Sequence, residues 1–212
     1  MKVTIVYDNT AFREDLQSDW GFSALVEAKD IPKILFDTGT SGGILLSNMQ
    51  KLNIDPVMID EVFISNSHFD HIGGLSDFLS VNRKAKLYIP PSFHGLKNRE
   101  VVRLATPTKI YEIVFSTGEL DAIEQSMGVI TGKGIVLIVG CSHPYMGNIL
   151  DAARKFGEVY GIIGGLHGFS EFDLFKDLEL ICPTHCTQHK AELKRLYPKK
   201  YIEGGAGRII EV

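Results

Sequence analysis

The sequence predicts a single layered α/β domain, and three observations support that expectation. The chain has 212 residues, 44% hydrophobic and 23% charged, which suits one large undivided unit with a full core. Short β-branched and apolar runs follow one another early in the chain, whereas strand–helix units dominate later. No low-complexity segment, short-period repeat or linker interrupts the pattern, so residues 1–212 are expected to form one unit.

Lys2–Tyr7 reads as the opening strand. Asp8 to Gly21 is a polar, patternless loop holding the only tryptophan, Trp20. Such a loop suits a cover over a site, with a partly buried anchor as the favoured role for Trp20 itself. Phe22–Ala28 and Lys33–Phe36 flank the turn Lys29-Asp30-Ile31-Pro32 and suggest a hairpin. Asp37-Thr38-Gly39-Thr40 ends it and starts a helix through Leu52, with Ile44, Leu45, Met49 and Leu52 on helical spacing. A strand over Glu61–Ile64, a short helix around Ser76–Leu79 and a strand over Ala85–Ile89 follow, the last stopped by Pro90-Pro91. Val101–Leu104 and Lys109–Val114 are expected strands in the less readable middle. Gln125–Thr131 and Gly134–Val139 flank Gly132-Lys133, a hairpin signal. A helix over Tyr145–Phe156, strands over Val159–Ile163 and Leu178–Ile181, a helix over Thr187–Leu196 and a strand over Arg208–Val212 complete the chain.

The formal net charge of −4 gives no global field for nucleic acid or anionic lipid, so neither is an expected partner. Lys194-Arg195 and Lys199-Lys200 read as a solvated helix end. No signal peptide is expected, because Met1-Lys2 leads directly into the first strand. The longest apolar run, Gly134–Gly140, is far below the ~20 residues that span a bilayer. Three cysteines, an odd number, suggest reduced thiols in a cytoplasm. Cys182 and Cys186 lack the second pair that a zinc knuckle needs.

The chemistry centres on Ser65-Asn66-Ser67-His68-Phe69-Asp70-His71-Ile72-Gly73-Gly74-Leu75, directly after the apolar run Ile59–Ile64. His68, Asp70 and His71 fall within four residues, and a turn made cheap by the glycines would aim neighbouring Asp70 and His71 at one point. Imidazole and carboxylate suit zinc, iron or manganese; the bland alternative is a polar loop whose histidines cap the next helix. Three later apolar strands also run into Gly- or Pro-marked turns with a histidine at the tip: Gly140-Cys141-Ser142-His143, Gly164-Gly165-Leu166-His167 and Pro183-Thr184-His185-Cys186. Functional groups of layered α/β folds gather where strands emerge at one edge, so His68, Asp70, His71, His143, His167 and His185 are expected in one pocket.

These motifs, with the upstream Asp37-Thr38-Gly39, resemble the metallo-β-lactamase superfamily over almost the whole chain. They are similar in particular to its "superfamily II" metal-dependent hydrolases, a branch that includes a dihydropterin-type ribofuranosyl-aminobenzene phosphate synthase. The resemblance implies an αββα sandwich, two mixed sheets with helices on the outer faces and one or two divalent metals at the sheet edge. Carried over, His68 and His143 match ligands of a first metal, and Asp70, His71 and His185 those of a second. His167 falls near the slot of a bridging residue, as a ligand or a contact to a substrate anion, and Asp37 resembles a supporting acid. Asn66 stands where the family motif has its first histidine; its amide is a weak donor or simply a turn residue, which points to a weakened first site. Gln188, where relatives often have Gly, is a smaller departure.

The implied function is hydrolysis of a small phosphorylated or ester/amide substrate by a metal-bound hydroxide, with zinc ahead of iron or manganese and Asp70 orienting the nucleophile. The alternative is a ligand-binding or sensing protein with a degenerate metal site. A di-iron redox protein and a ribonuclease are disfavoured, because no flavin domain or basic RNA-clamping insertion is visible.

Overall fold

The computed structural model describes residues 1–95 and 99–212. In chain order the elements are β1 (Lys2–Tyr7), β2 (Ser23–Glu27), β3 (Ile34–Phe36), α1 (Gly42–Lys51), β4 (Glu61–Phe63), α2 (Phe69–Ile72), α3 (Leu75–Val81), β5 (Lys86–Ile89) and β6 (Val101–Arg103). They continue as β7 (Thr108–Lys109), β8 (Val114–Ser116), β9 (Met127–Thr131), β10 (Gly134–Val139), α4 (Met146–Arg154), β11 (Val159–Gly165), β12 (Leu180–Thr184), α5 (Lys190–Leu196) and β13 (Ile209–Glu211). Two mixed sheets result, ordered β13-β1-β2-β3-β4-β5-β6 and β12-β11-β10-β9-β8-β7.

Strand alternation explains the four layers. Ala24 and Val26, Ile34 and Phe36, and Val136 and Ile138 point into the core between the sheets. The intervening Leu25 and Leu35 meet Leu45 and Met49 of α1 and Phe78 of α3. On the other side, Ile135, Leu137 and Val139 meet Ile149, Leu150 and Ala153 of α4 and Leu193 of α5. Strands with both faces buried must be apolar throughout, which is why these runs looked continuous rather than alternating. The expected αββα sandwich is the observed architecture.

Several boundaries differ from expectation. The segment Lys109–Val114 is not one strand: Thr108 pairs with Ser116 and Lys109 with Phe115 across a tight turn, in which Ile110 and Tyr111 donate to the Val114 carbonyl. The helix expected from Asp37 starts at Gly42, where Ser41 caps it through the Ile44 N–H. Asp37 and Gly39 instead adopt left-handed φ values of 52° and 65°. Gly164-Gly165 and Pro183 lie within strands rather than in turns, paired Gly164 to Pro183 and Gly165 to Thr184. Pro183 is tolerated because β12 is the edge of its sheet. None of the described helices is long and apolar enough to cross a membrane.

The Gly73-Gly74 pair serves close packing. A Cβ on Gly73 would meet the Thr40 carbonyl oxygen at 2.1 Å, and one on Gly74 the Thr38 carbonyl oxygen at 2.4 Å. The helical turn α2 is thereby pressed against the Asp37-Thr38-Gly39 turn, and Thr38 donates from its backbone N–H and its hydroxyl to the His71 carbonyl at 2.8 and 3.0 Å. This clamp fixes where His71 points.

Candidate metal centre

Four side chains converge at the sheet edge. Donor atoms of Asp70 and His71 from α2, Cys141 after β10 and His185 after β12 all lie within 4.8 Å of one another. His71 Nε2 is 3.1 Å from Cys141 Sγ and 3.9 Å from Asp70 Oδ1. His185 Nε2 is 3.1 Å from Asp70 Oδ2 but has no hydrogen-bond partner, although it is buried. A buried imidazole nitrogen left without a partner is costly in a finished core. A cation among these donors would take up its lone pair, so the residues present fit a divalent metal.

Each donor is held from behind. His71 Nδ1 lies 2.7 Å from Asp37 Oδ2, and both side chains are fully buried. Asp37 also accepts the Ser65 N–H at Oδ1 and the Ser65 hydroxyl at Oδ2, each at 2.7 Å. A carboxylate at this place favours a proton on Nδ1, which would leave Nε2 to a metal, the usual arrangement behind a ligating histidine. Asp37 thus stands directly behind His71, the place in which a supporting acid would act. His185 is placed by two residues of the β1–β2 loop: Asp8 Oδ1 accepts its backbone N–H at 2.6 Å, and Asn9 Oδ1 lies 2.9 Å from Nδ1. The Cys141 loop is organised by buried Glu124, whose Oε1 accepts the N–H groups of Gly140, Cys141 and Ser142 and whose Oε2 accepts that of His143.

Trp20 departs from expectation. It is 56% exposed, yet its indole N–H donates to Asp70 Oδ2 at 2.9 Å and its ring meets His185 edge-on at 5.2 Å. The ring covers two donors instead of anchoring a core, because the β1–β2 loop lies over the site.

The remaining predicted residues gather beside this group. His143 Nε2 is 3.1 Å from His68 Nδ1, and the rings of His143 and His167 are 5.3 Å apart. Asn66 is buried; its Oδ1 accepts the His68 N–H at 2.9 Å and its Nδ2 donates to Ser65 Oγ at 3.1 Å. The amide therefore shapes the turn that carries His68. His68, His143 and His167 line no compact three-donor group among the described residues. A cleft of about 300 Å³ opens beside them, lined by His143, Tyr145, His167, Phe169 and Glu171. A larger cavity, about 780 Å³, lies between α3 and Phe93, His94, Gly95 and Arg99, and none of the predicted site residues lines it.

Electrostatics follow from this packing. Burial works against charge on His71, but the Asp37 carboxylate outweighs it and pushes the imidazole up to about 9. Burial alone would raise the Asp70 carboxyl, but His185 and His71 hold it well below the usual range. Burial, with His68 and His167 nearby, holds His143 below an ordinary histidine. Cys186 lies 3.2 Å from Cys141 sulfur to sulfur; the hydrogen bond the two share, without a metal, brings Cys186 down to about 6 and pushes Cys141 up.

Sequence reasoning did not single out Cys141, Asp8, Asn9 or Glu124. Cys141 had a signal, a potential thiolate donor two residues before a tip histidine; the other three act through contacts that no local pattern marks.

Comparison with known proteins agrees with this geometry. The model of the metallo-beta-lactamase superfamily matches residues 21–150, which include Asp37, Asn66 to His71, Cys141 and His143. The 7,8-dihydropterin-6-methyl-4-(beta-D-ribofuranosyl)-aminobenzene-5'-phosphate synthase of Methanocaldococcus jannaschii is 27% identical, with 98% of this chain and 95% of that protein covered. Among solved structures, Tm1679, a metal-dependent hydrolase of the beta-lactamase superfamily, is similar at 27% identity and a TM-score of 0.78, covering 100% of this chain and 99% of that one. The metallo-beta-lactamase fold protein YhfI of Bacillus subtilis shares the fold at 14% identity and a TM-score of 0.70, covering 99% of each chain. The family implies a divalent metal and supports a metal-dependent, hydrolase-like function. By sequence match and by architecture, the chain belongs to the metallo-beta-lactamase superfamily.

Proposed function

We propose that this chain is a zinc-dependent hydrolase of a small phosphorylated or ester/amide substrate, with one firmly held metal. The observation that carries this reading is the set of four converging donors, with the buried Nε2 of His185 unpartnered among them. Asp70, His71, Cys141 and His185 would hold the ion. A thiolate favours zinc over manganese or magnesium, and a mixed N/O/S set is one that zinc accepts. Bound there, a divalent metal supplies Lewis acidity, which makes water a nucleophile near neutral pH and polarises a carbonyl or phosphoryl oxygen.

The protein's own groups do the rest. Asp37 and Asn9 hold the two imidazoles in the tautomer that presents Nε2. Trp20 fixes one oxygen of Asp70 and shields that side from water. His143, kept from protonating by its surroundings, has a lone pair near neutral pH and shares its proton position with His68 at 3.1 Å. That pair is placed to accept or donate a proton at the substrate's oxygen. The adjoining cleft of about 300 Å³ suits a small molecule. A phosphorylated substrate gains support from the archaeal relative, which is named for a ribofuranosyl-aminobenzene 5'-phosphate.

Asn66, whose side chain serves the His68 turn, favours a second reading: a protein of this fold that binds a ligand without turnover. Metal analysis of protein purified without chelator, followed by chromogenic phosphomonoesters, phosphodiesters, lactones and amides, separates the two. About one zinc per chain with zinc-dependent turnover is expected. Bound zinc with no turnover on any class, or no bound metal at all, would overturn the hydrolase reading and favour the ligand-binding one.

A further inference from the structure

The geometry points to a redox modification site at the metal centre: Cys141 and Cys186 close to a disulfide under hydroperoxide, and the metal loses a donor when they do. The inference rests on the reading that Cys141 is one of the four metal donors. The two thiols come from different strand ends and lie 3.2 Å apart, both unbridged and both buried. Gly165 makes that approach possible, since a Cβ there would stand 2.9 Å from Cys186 Sγ and 2.3 Å from the Gly140 carbonyl oxygen. On the other side of Cys141, His71 Nε2 stands 3.1 Å away. One sulfur therefore faces two alternatives, the metal position and a second sulfur, and it cannot serve both. Cys182, the third thiol, packs in the core between the sheets and takes no part.

The chemistry balances with the peroxide as oxidant. Cys186, the more exposed of the two at 7% against 3%, attacks one peroxide oxygen. An S–O bond forms, the O–O bond breaks, and the thiol proton leaves with the departing oxygen as water. The sulfur of Cys141 then displaces the second oxygen from the sulfenic acid. An S–S bond forms, the S–O bond breaks, and the leaving oxygen takes the Cys141 thiol proton, or a solvent proton where Cys141 is a thiolate, and departs as a second water. Two thiols and one hydrogen peroxide give one disulfide and two waters. A disulfide sulfur is a poor donor, so Asp70, His71 and His185 are left to hold the ion.

The test uses zinc-loaded and metal-free protein in a Cys182→Ser background, treated with stoichiometric hydrogen peroxide. Trypsin then leaves one thiol each on peptides 134–154 and 177–190. The expected result is a 2 Da loss and a cross-link between these peptides in both forms. In the loaded form, zinc should pass to a chromogenic chelator in step with the cross-link, its affinity should fall at least tenfold, and dithiothreitol should reverse both changes. Cys186→Ser should form no cross-link and keep its zinc under the same oxidant. Sulfinic or sulfonic acid at either position without the cross-link overturns the proposal, as does zinc loss from Cys186→Ser as fast as from its parent. If Cys186→Ser does not fold, the peptide map of the parent protein decides alone. The metal-free arm reads the thiol pair whether or not zinc binds, so a failure of the metal reading shows separately in the metal analysis.

Discussion

Replacing Asp37 by Asn changes one atom of a side chain that touches neither substrate nor metal, yet it should weaken metal binding markedly. The Asp37 carboxylate lies 2.7 Å from His71 Nδ1 with no solvent access, so the contact is charge-assisted and unscreened. In the carboxamide, an NH2 group would face Nδ1 and donate to it. The ring proton would then move to Nε2, the atom the metal needs. Losing an outer-shell partner of this kind costs roughly 10- to 100-fold in metal affinity, about 1.4–2.7 kcal/mol. Asn keeps the shape and can still accept the Ser65 N–H at Oδ1, so the fold should survive better than with Ala. Competitive titration with a chromophoric zinc chelator measures the affinity, and circular dichroism checks the fold. A folded Asp37→Asn protein that binds zinc within twofold of wild type would refute the reasoning.

Other predictions follow from the same geometry. Asn66→His should add an imidazole beside His68 and His143 and raise metal content from about one per chain toward two; unchanged content by elemental analysis would mean the turn, not the donor, limits that site. His185→Ala should lose at least tenfold in zinc affinity, whereas His167→Ala, outside the four-donor group, should stay within about threefold; equal losses in equilibrium dialysis would mean the donor set is misassigned. In metal-free protein, His71 has its folded value raised from 6.5 to about 9. Its contribution to stability is thus fully present below about pH 6.5 and is lost as pH rises through about 9. That contribution is at most on the order of 3 kcal/mol, since burial disfavours the Asp37 charge that supplies it. Melting temperatures of chelator-treated protein should fall from pH 6.5 to 9, and a flat or rising profile would contradict the assigned ion pair.

What could be read in the sequence was what short-range pattern encodes. Asp70 and His71 sit in one turn with Gly73-Gly74 beside them, so their convergence needed only local geometry. Asp37 was legible through its Asp-Thr-Gly motif, although the turn's left-handed backbone made it a clamp and not the start of a helix. The runs of β10 and β11 were apolar on both faces and announced buried strands. Cys141 was harder, because it reads as the last residue of an apolar strand. Only the packing of the β10 end against α2 shows that its sulfur meets His71. Asp8 and Asn9 act on His185 from across the whole chain, and Glu124 collects four backbone N–H groups from a loop 16 to 19 residues away. No periodicity records such contacts. The exposed Trp20 was misread because aromatic burial is the usual expectation, whereas here the loop spends its indole N–H on Asp70.

The central claim is that one zinc sits among Asp70, His71, Cys141 and His185. X-ray absorption at the zinc edge of protein reconstituted with one equivalent tests it most directly. A shell of one sulfur at about 2.3 Å with nitrogen and oxygen donors at about 2.0–2.2 Å is predicted, and the sulfur should vanish in Cys141→Ser. A shell of nitrogen and oxygen alone in the wild-type protein would contradict the account and remove Cys141 from the donor set.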